Sequence, residues 1–119
     1  MREVTLRIES NVKAPSKSRS HLALMKPTLG PRYEDVLLIV SELVSNSVRH
    51  SKSTEIDLTV RTQDGRIRVE VSDDGPGFTH ETPRGEGMGL AIVEKLSERW
   101  GLVSDGRFTV WAELSRSAA

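Results

Sequence analysis

Glu42 and Asn46 stand four residues apart, a spacing that places both side chains on one face of a helix. Val40 and Leu43 lie beside them, and in apolar surroundings two polar side chains are costly to bury without a function or a partner. An asparagine carbonyl is a hard oxygen ligand that suits Mg²⁺, and a carboxylate one turn away can accept a proton from a hydroxyl or water. Taken alone, the pair also fits a simpler interpretation, in which Glu42 is a solvated charge on the helix and Asn46 begins the fraying C-terminal end.

A second motif, Asp73-Asp-Gly75-Pro-Gly77, follows directly from a predicted strand. Glycines at positions 75 and 77 allow backbone angles that let the chain turn tightly against a flat ligand. A buried carboxylate at a strand end can accept a hydrogen bond from the exocyclic amine of adenine, whereas guanine presents a carbonyl at that position. The alternative is a simple strand-terminating turn, which fits Asp74 better than Asp73.

A third motif places Gly85, Gly87, Met88, Gly89 and Leu90 at the start of an apolar helical pattern. Free amides at a helix N-terminus bind anions, and glycines let the backbone approach a phosphate closely. We therefore expect these five residues to contact phosphates. No strand directly precedes the motif and no Walker-type lysine is present, so a dinucleotide fold and a P-loop are poor alternatives.

Hydrophobic periodicity predicts the elements that carry these motifs. In chain order they are a strand at 4–9, a helix from about residue 15 to 29, a helix at 33–50, two hairpin strands at 56–60 and 67–71, a loop at 73–87, a helix from about residue 88, and two closing strands at 102–103 and 108–114. Hairpins on both sides of a single helix favour a mixed, mostly antiparallel sheet. The predicted fold class is α+β, a two-layer sandwich with three helices on one face of the sheet.

Composition sets further limits on function. The 119 residues fit a single domain spanning 1–119, and the balance of 17 basic and 17 acidic side chains gives no cationic excess for nucleic acid. Five aromatic residues provide few stacking platforms. The absence of cysteine excludes disulfides and thiolate metal sites. The N-terminus alternates polar and apolar residues without an apolar run, so we expect a cytoplasmic protein with no membrane span.

The three motifs, taken in this order, resemble the ATP-binding domain of the GHKL (Bergerat-fold) superfamily, which includes gyrase, Hsp90, bacterial histidine kinases and MutL. From about residue 5 to 114 the chain is most similar to the bacterial anti-sigma-factor serine kinases. The resemblance implies ATP and Mg²⁺ as ligands, with Asn46 holding the metal, Glu42 acting as base and Asp73 binding adenine. It also implies a phosphate contact from Arg49 and closure of the adenine pocket by Thr109, although a threonine is equally common in any strand.

For function, the resemblance implies a serine/threonine-protein kinase that transfers the γ-phosphate of ATP to a serine of a partner protein. The partners implied are an anti-anti-sigma (STAS-type) substrate, a sigma factor and a second copy of the chain. One alternative is the catalytic part of a histidine kinase, although His21 lacks the acidic neighbour of a phosphoacceptor histidine. Another is a regulator that binds ATP without turnover, which the short segment 79–84 favours because a short lid excludes water poorly.

Overall fold

The computed structural model describes residues 1–51, 53–75 and 90–117 of the chain. Within them lie five strands and four α-helices: β1 (Arg2–Glu9), α1 (Ala14–Leu22), α2 (Lys26–Leu29), α3 (Tyr33–His50), β2 (Glu55–Gln63), β3 (Arg66–Asp73), α4 (Leu90–Leu96), β4 (Arg99–Asp105) and β5 (Arg107–Ser115).

The five strands form one sheet in the order β1-β2-β3-β5-β4, and all four pairings are antiparallel. The helices α1, α3 and α4 pack on one face of this sheet, with α3 running over β2 and β3. The predicted α+β two-layer sandwich is thereby confirmed.

The core lies between the sheet and the helices, because buried and less buried side chains alternate along β2, β3 and β5. The helix-facing positions are apolar and buried: Ile56, Leu58 and Val60 on β2, Ile67, Val69 and Val71 on β3, and Phe108, Val110, Ala112 and Leu114 on β5. The same alternation brings Asp73, the last residue of β3, to the helix-facing side, where it is 3% exposed. A carboxylate therefore lies at the edge of an apolar core.

The opposite face of the sheet is polar and carries rows of ion pairs. Arg68 bonds Glu70 at 2.6 Å and Glu113 at 2.7 Å, and it lies 4.5 Å from the ring centre of Trp111. The hydrogen bond from Arg68 lowers the pKa of Glu113 against the opposing effect of burial. These ion pairs fix the side chains of neighbouring strands relative to one another on the outer face of the sheet.

Helix α3 positions most of the site, and its sequence explains its extent. Glu34 and Asp35 stand in the first turn and Arg49 and His50 in the last, which is the charge distribution that the helix dipole favours. Its buried stripe begins at Val36 and reaches Ser47 near the C-terminus. The final turns of α3 therefore carry polar residues into the packed side of the domain.

The first predicted helix differs from the structure. Instead of one helix to Leu29, α1 ends at Leu22, and a 3-10 turn at Ala23–Met25 separates it from the four-residue α2. Pro27 lies inside the predicted span and cannot donate a backbone hydrogen bond to the carbonyl four residues before it, so one continuous α-helix is interrupted and Pro27 stands in the first turn of α2. Across the described ranges, no helix is long and apolar enough to cross a membrane.

Candidate functional site

Asp73 is held by two hydrogen bonds at the end of β3. One carboxylate oxygen, Oδ2, accepts from the hydroxyl of Ser47 on α3, and the other, Oδ1, accepts from the backbone amide of Gly75 at 2.8 Å. Both side chains are buried, at 3% exposed for Asp73 and 5% for Ser47. The contact fixes the carboxylate and joins the first two sequence motifs in space.

Gly75 lies where the chain passes very close to the end of α3. A methyl group at this position would lie 2.7 Å from Oγ and 2.9 Å from Cα of Ser51. Real Cβ atoms do not approach other heavy atoms so closely, so the packing at this point requires glycine. Gly75 does not have a positive φ, so the close contact with Ser51, and not the unusual backbone angle that the sequence predicted, is the reason for glycine here.

Asn46 is 1% exposed, and its side chain makes a hydrogen bond through the oxygen alone in the described part of the chain. Its Oδ1 accepts a hydrogen bond from Nη2 of Arg49 at 2.6 Å, one turn further along α3. The other amide atom, Nδ2, is buried and has no hydrogen-bond partner among the described residues. Because an unsatisfied buried donor is destabilising, this atom marks a place where a ligand acceptor fits.

A magnesium ion fits this donor set. The side-chain oxygen of Asn46 already accepts a hydrogen bond from a cationic group, the guanidinium of Arg49. No group of three or more His, Asp or Glu side chains within residues 1–51, 53–75 and 90–117 could hold a metal unaided. Mg²⁺ usually binds through one or two protein ligands together with waters and substrate phosphates, so a single amide oxygen is a sufficient protein ligand.

Glu42 stands one turn before Asn46 on α3 and is half-buried. The two residues share a helix face, as their spacing predicted. Arg49 continues the same side of the helix towards its C-terminus. The polar face of α3 thus presents, in order, a carboxylate, an amide and a guanidinium.

Thr109 does not reach Asp73. It pairs with Ser72 across β3 and β5, and the two hydroxyls are 2.7 Å apart. Because side chains alternate between the faces of a strand, Thr109 lies on the outer face of the sheet. The helix-facing residue opposite Asp73 is Phe108, which is 6% exposed. Thr109 and Asp73 thus lie on opposite faces of the sheet, and the predicted part of Thr109 in closing the adenine pocket stays a prediction.

Two residues beside the site were missed by the sequence reasoning. Ser47 follows Asn46 directly, and its place on the buried stripe of α3 was the available signal. Arg107 bonds the carboxylate of Asp74 at 2.8 Å and also that of Asp57 on β2. The hydrogen bond to Asp57 raises the pKa of Arg107, and the hydrogen bond to Asp74 adds a smaller effect in the same direction. Burial has the opposite effect on this pKa. Arg107 thus ties the second motif to the outer face of the sheet.

The remaining predicted residues lie outside the described part of the chain. They are Gly77, Gly85, Gly87, Met88 and Gly89, together with the short segment 79–84. Leu90 is described: it is the first residue of α4 and packs against the core.

Comparison with known proteins gives the family. A family profile described as "Histidine kinase-, DNA gyrase B-, and HSP90-like ATPase" matches residues 32–118. The chain belongs to this ATPase family. The match begins just before α3 and ends after β5, so it includes both sides of the Ser47–Asp73 contact.

Among relatives of this ATPase domain, the serine-protein kinase RsbW of Listeria innocua is 27% identical over 119 residues, covering 81% of this chain and 76% of that protein. The nitrate/nitrite sensor protein NarX of Escherichia coli K12 is 30% identical over 71 residues, covering 58% of this chain. The chain spans only 12% of NarX and 18% of LiaS, a sensor histidine kinase of Bacillus subtilis.

Solved structures share the fold of the ATPase domain. The RsbU and RsbW domains of Rv1364c from Mycobacterium tuberculosis match with a TM-score of 0.76 and 20% identity, over 97% of this chain and 32% of that one. The histidine kinase domain of the Escherichia coli osmosensor EnvZ matches with a TM-score of 0.54 and 16% identity, over 100% of this chain and 91% of that one.

Proposed function

We propose that this domain binds ATP with Mg²⁺ and transfers the γ-phosphate to a serine or threonine hydroxyl of a partner protein. The observation that carries the proposal is the hydrogen bond between Ser47 and Asp73. It brings the candidate base-binding carboxylate and the candidate metal-binding helix face into one buried site at the edge of the core.

In the proposed site Asp73 accepts a hydrogen bond from the exocyclic amine of adenine. A carboxylate oxygen can accept more than one bond, so Ser47 and Gly75 can keep their contacts while the base binds. These two donors fix the orientation of the acceptor before the base arrives. Selection of ATP over GTP follows, because guanine would present a carbonyl to the same carboxylate.

The phosphate end of the site is assigned to α3 and to the glycine motif. Asn46 would hold the metal through Oδ1, and Mg²⁺ when bound would neutralise charge that develops on the phosphates. Arg49 would leave Asn46 and donate to a phosphate oxygen. Backbone amides of Gly85, Gly87, Met88, Gly89 and Leu90 would donate to the phosphates from the start of α4.

Glu42 is assigned as the general base. It would accept the proton of the attacking serine hydroxyl, while Arg49 and the glycine motif hold the phosphates in line. The phosphoryl group passes from ATP to the serine oxygen, and ADP leaves. Most of the rate enhancement in such transfers comes from positioning and charge stabilisation rather than from covalent chemistry.

The finer proposal is a cytoplasmic kinase of the anti-sigma type, with a STAS-type anti-anti-sigma protein as substrate, a sigma factor as second partner and a homodimeric state. The extent of the RsbW match supports it, since this chain covers 76% of the Listeria innocua protein. It covers 12% of NarX and 18% of LiaS.

The test is calorimetric titration of the pure chain with ATP and with GTP, each with Mg²⁺. We expect ATP to bind, GTP not to bind, Asp73→Asn to abolish binding and the exposed neighbour variant Asp74→Asn to retain it. Glu42→Gln should bind ATP normally and lose phosphoryl transfer. Equal loss of binding in Asp73→Asn and Glu42→Gln would contradict these separate roles.

A second candidate is the ATP-binding part of a histidine kinase, which the 30% identity to NarX favours. Acid stability of the product separates the two: phosphoserine survives acid, whereas phosphohistidine does not. A third candidate, an ATP-dependent binding regulator, predicts ATP binding with no phosphorylated product of either kind.

A further inference from the structure

Charge is unevenly distributed along this chain although its net charge is zero. Residues 10–33 contain five of the 17 basic residues and none of the 17 acidic ones, so the rest of the chain has a net charge of −5. This segment includes α1 and α2 and ends where α3 begins. The segment that carries α1 and α2 is therefore basic.

Four of the five cations of this segment differ from those of the sheet in their pairing; the fifth, Arg32, pairs with Asp35 at 2.9 Å. The six arginines on the outer face of the sheet all make ion pairs: Arg7, Arg61, Arg66, Arg68, Arg99 and Arg107. In contrast, Lys13, Lys17 and Lys26 are exposed and make no ion pair with any residue that the structure describes, although the amine of Lys26 lies over the ring of Tyr33. Arg19 is also exposed, and its guanidinium bonds the neutral hydroxyl of Ser41 at 2.9 Å.

The same segment exposes two large aliphatic side chains. Val12 is 89% exposed and Leu24 is 85% exposed, the two highest values among the exposed large hydrophobic residues of the described part. They flank α1, whose buried face is formed by Ala14, Ser18 and Leu22 and packs towards α3. The outward side of α1 thus combines unpaired lysines with exposed apolar groups.

This surface adjoins the candidate site. A cleft of about 190 Å³ separates the start of α1 from the end of α3 and is lined by Val12, Pro15, Ser45, Val48 and Arg49. Arg49 is the residue that bonds Asn46. A partner lying on α1 would therefore reach the polar face of α3 without crossing the sheet.

We propose that α1 and its flanking residues, the surface formed by Val12, Lys13, Lys17 and Leu24, dock an acidic protein segment that carries the acceptor hydroxyl. Lys13 and Lys17, one turn apart, would face carboxylates, and Val12 and Leu24 would cover aliphatic side chains of the partner. The docking stands on the charge and exposure of α1, whereas the role of the partner as phosphoryl acceptor rests on the proposed function.

A protein fits this surface better than a nucleic acid does. Nucleic-acid surfaces combine cations with aromatic platforms for the bases, and the only aromatic residue in 10–33 is the half-buried Tyr33, 5.6 Å from the amine of Lys26. Exposed aliphatic side chains contribute little on a phosphate backbone, but they gain by burial against apolar protein surface.

The test uses three fluorescent probes of equal length: a peptide in which glutamate and leucine alternate around one serine, the same peptide with lysine for glutamate, and a single-stranded oligonucleotide. Their binding to the full chain is measured by fluorescence anisotropy at low and high salt. The variant is Lys13→Glu with Lys17→Glu. The matched control, Arg2→Glu with Lys95→Glu, makes the same charge change at exposed positions of β1 and α4.

We expect the acidic peptide to bind in a salt-dependent manner, the double variant on α1 to weaken it by about tenfold or more, and the control to leave it nearly unchanged. ATP binding should be the same in all three proteins. No binding of the acidic peptide, an equal loss in the control, or tighter binding of the oligonucleotide would overturn the inference. Failure of the wild-type chain to bind ATP would instead overturn the proposed function and leave the peptide result standing.

Discussion

Ser47 on α3 donates a hydrogen bond to Asp73 at the end of β3, across 26 residues of sequence. The bond is buried and lies between the helix that carries Glu42 and Asn46 and the strand that carries the candidate adenine acceptor. It satisfies one oxygen of a carboxylate that would otherwise be costly to bury beside an apolar core. The relative position of the two motifs therefore depends on a side chain that belongs to neither of the predicted ligand sets.

Ser47→Ala should destabilise the chain by about 1–3 kcal/mol, because it leaves a buried carboxylate oxygen without its side-chain donor. ATP affinity should fall as well, since Asp73 would lose the contact that orients it. Urea denaturation and calorimetry measure the two effects. Ser45→Ala on the same helix is the control, with an expected change within about 0.5 kcal/mol. Equal effects in the two variants would show that the Ser47 hydroxyl has no special role.

Arg49→Ala should change the magnesium dependence of ATP binding. The guanidinium of Arg49 bonds the Asn46 oxygen that the metal would use, so removal of Arg49 removes a competitor. We expect half-maximal ATP binding at a Mg²⁺ concentration about fivefold lower, and weaker ATP binding at saturating Mg²⁺ because a phosphate contact is lost. Arg19→Ala controls for the loss of a nearby cation. A midpoint that is unchanged or higher in Arg49→Ala would contradict this exchange.

Gly75→Ala should destabilise the connection between β3 and α3 by about 1–3 kcal/mol, because the new methyl group would meet Ser51 at 2.7–2.9 Å. Thermal unfolding without nucleotide measures the effect directly. Adding Ser51→Gly removes two of the three colliding atoms and should recover part of the stability. If the double variant were no more stable than Gly75→Ala alone, steric contact with Ser51 would not be the cause.

Phe108 and Thr109 should differ in their effect on ATP binding, because they lie on opposite faces of β5. Phe108→Ala removes a buried ring opposite Asp73 and should lower both stability, by about 3–5 kcal/mol, and ATP affinity. Thr109→Val keeps the shape of the side chain and should leave ATP affinity unchanged. Comparison at a temperature where both variants are folded separates binding from unfolding. If Thr109→Val lost more ATP affinity than Phe108→Ala, Thr109 would belong to the ATP site.

Acid should destabilise the sheet through its ion pairs. The hydrogen bond from Arg7 lowers the pKa of Asp57, as that from Arg68 lowers the pKa of Glu113. A carboxylate whose pKa is lower in the folded state contributes stability that is complete above its ordinary pKa and is lost as the pH falls through the folded value. The free energy of unfolding should therefore fall below about pH 4.5, the ordinary pKa of glutamate.

Glu113→Gln is the matching variant for this acid dependence. It should be less stable than the wild type at neutral pH and should lose less stability between neutral pH and acid. Denaturant titrations at several pH values measure both slopes. Parallel curves for the two proteins would mean that Glu113 does not contribute to the acid transition.

Local pattern predicted the elements of this protein and the three motifs. Period-two alternation along β2, β3 and β5 is a property of neighbouring residues, and so is the apolar stripe of α3. The residue types in Asp73-Asp-Gly75-Pro-Gly77 limit the chemistry in the same local way. One local signal was overlooked, since Pro27 already argued against a single helix reaching Leu29.

The sequence by itself therefore determined the fold class, the core positions and the candidate ligands Asn46 and Asp73. Only the tertiary structure decided that Ser47 bonds Asp73, and that Phe108 rather than Thr109 stands opposite it. The physical reason is that strand faces alternate, so a change of one residue in register moves a side chain to the other side of the sheet. Pairing across 26 or more residues depends on how the layers pack, and no local spacing encodes it.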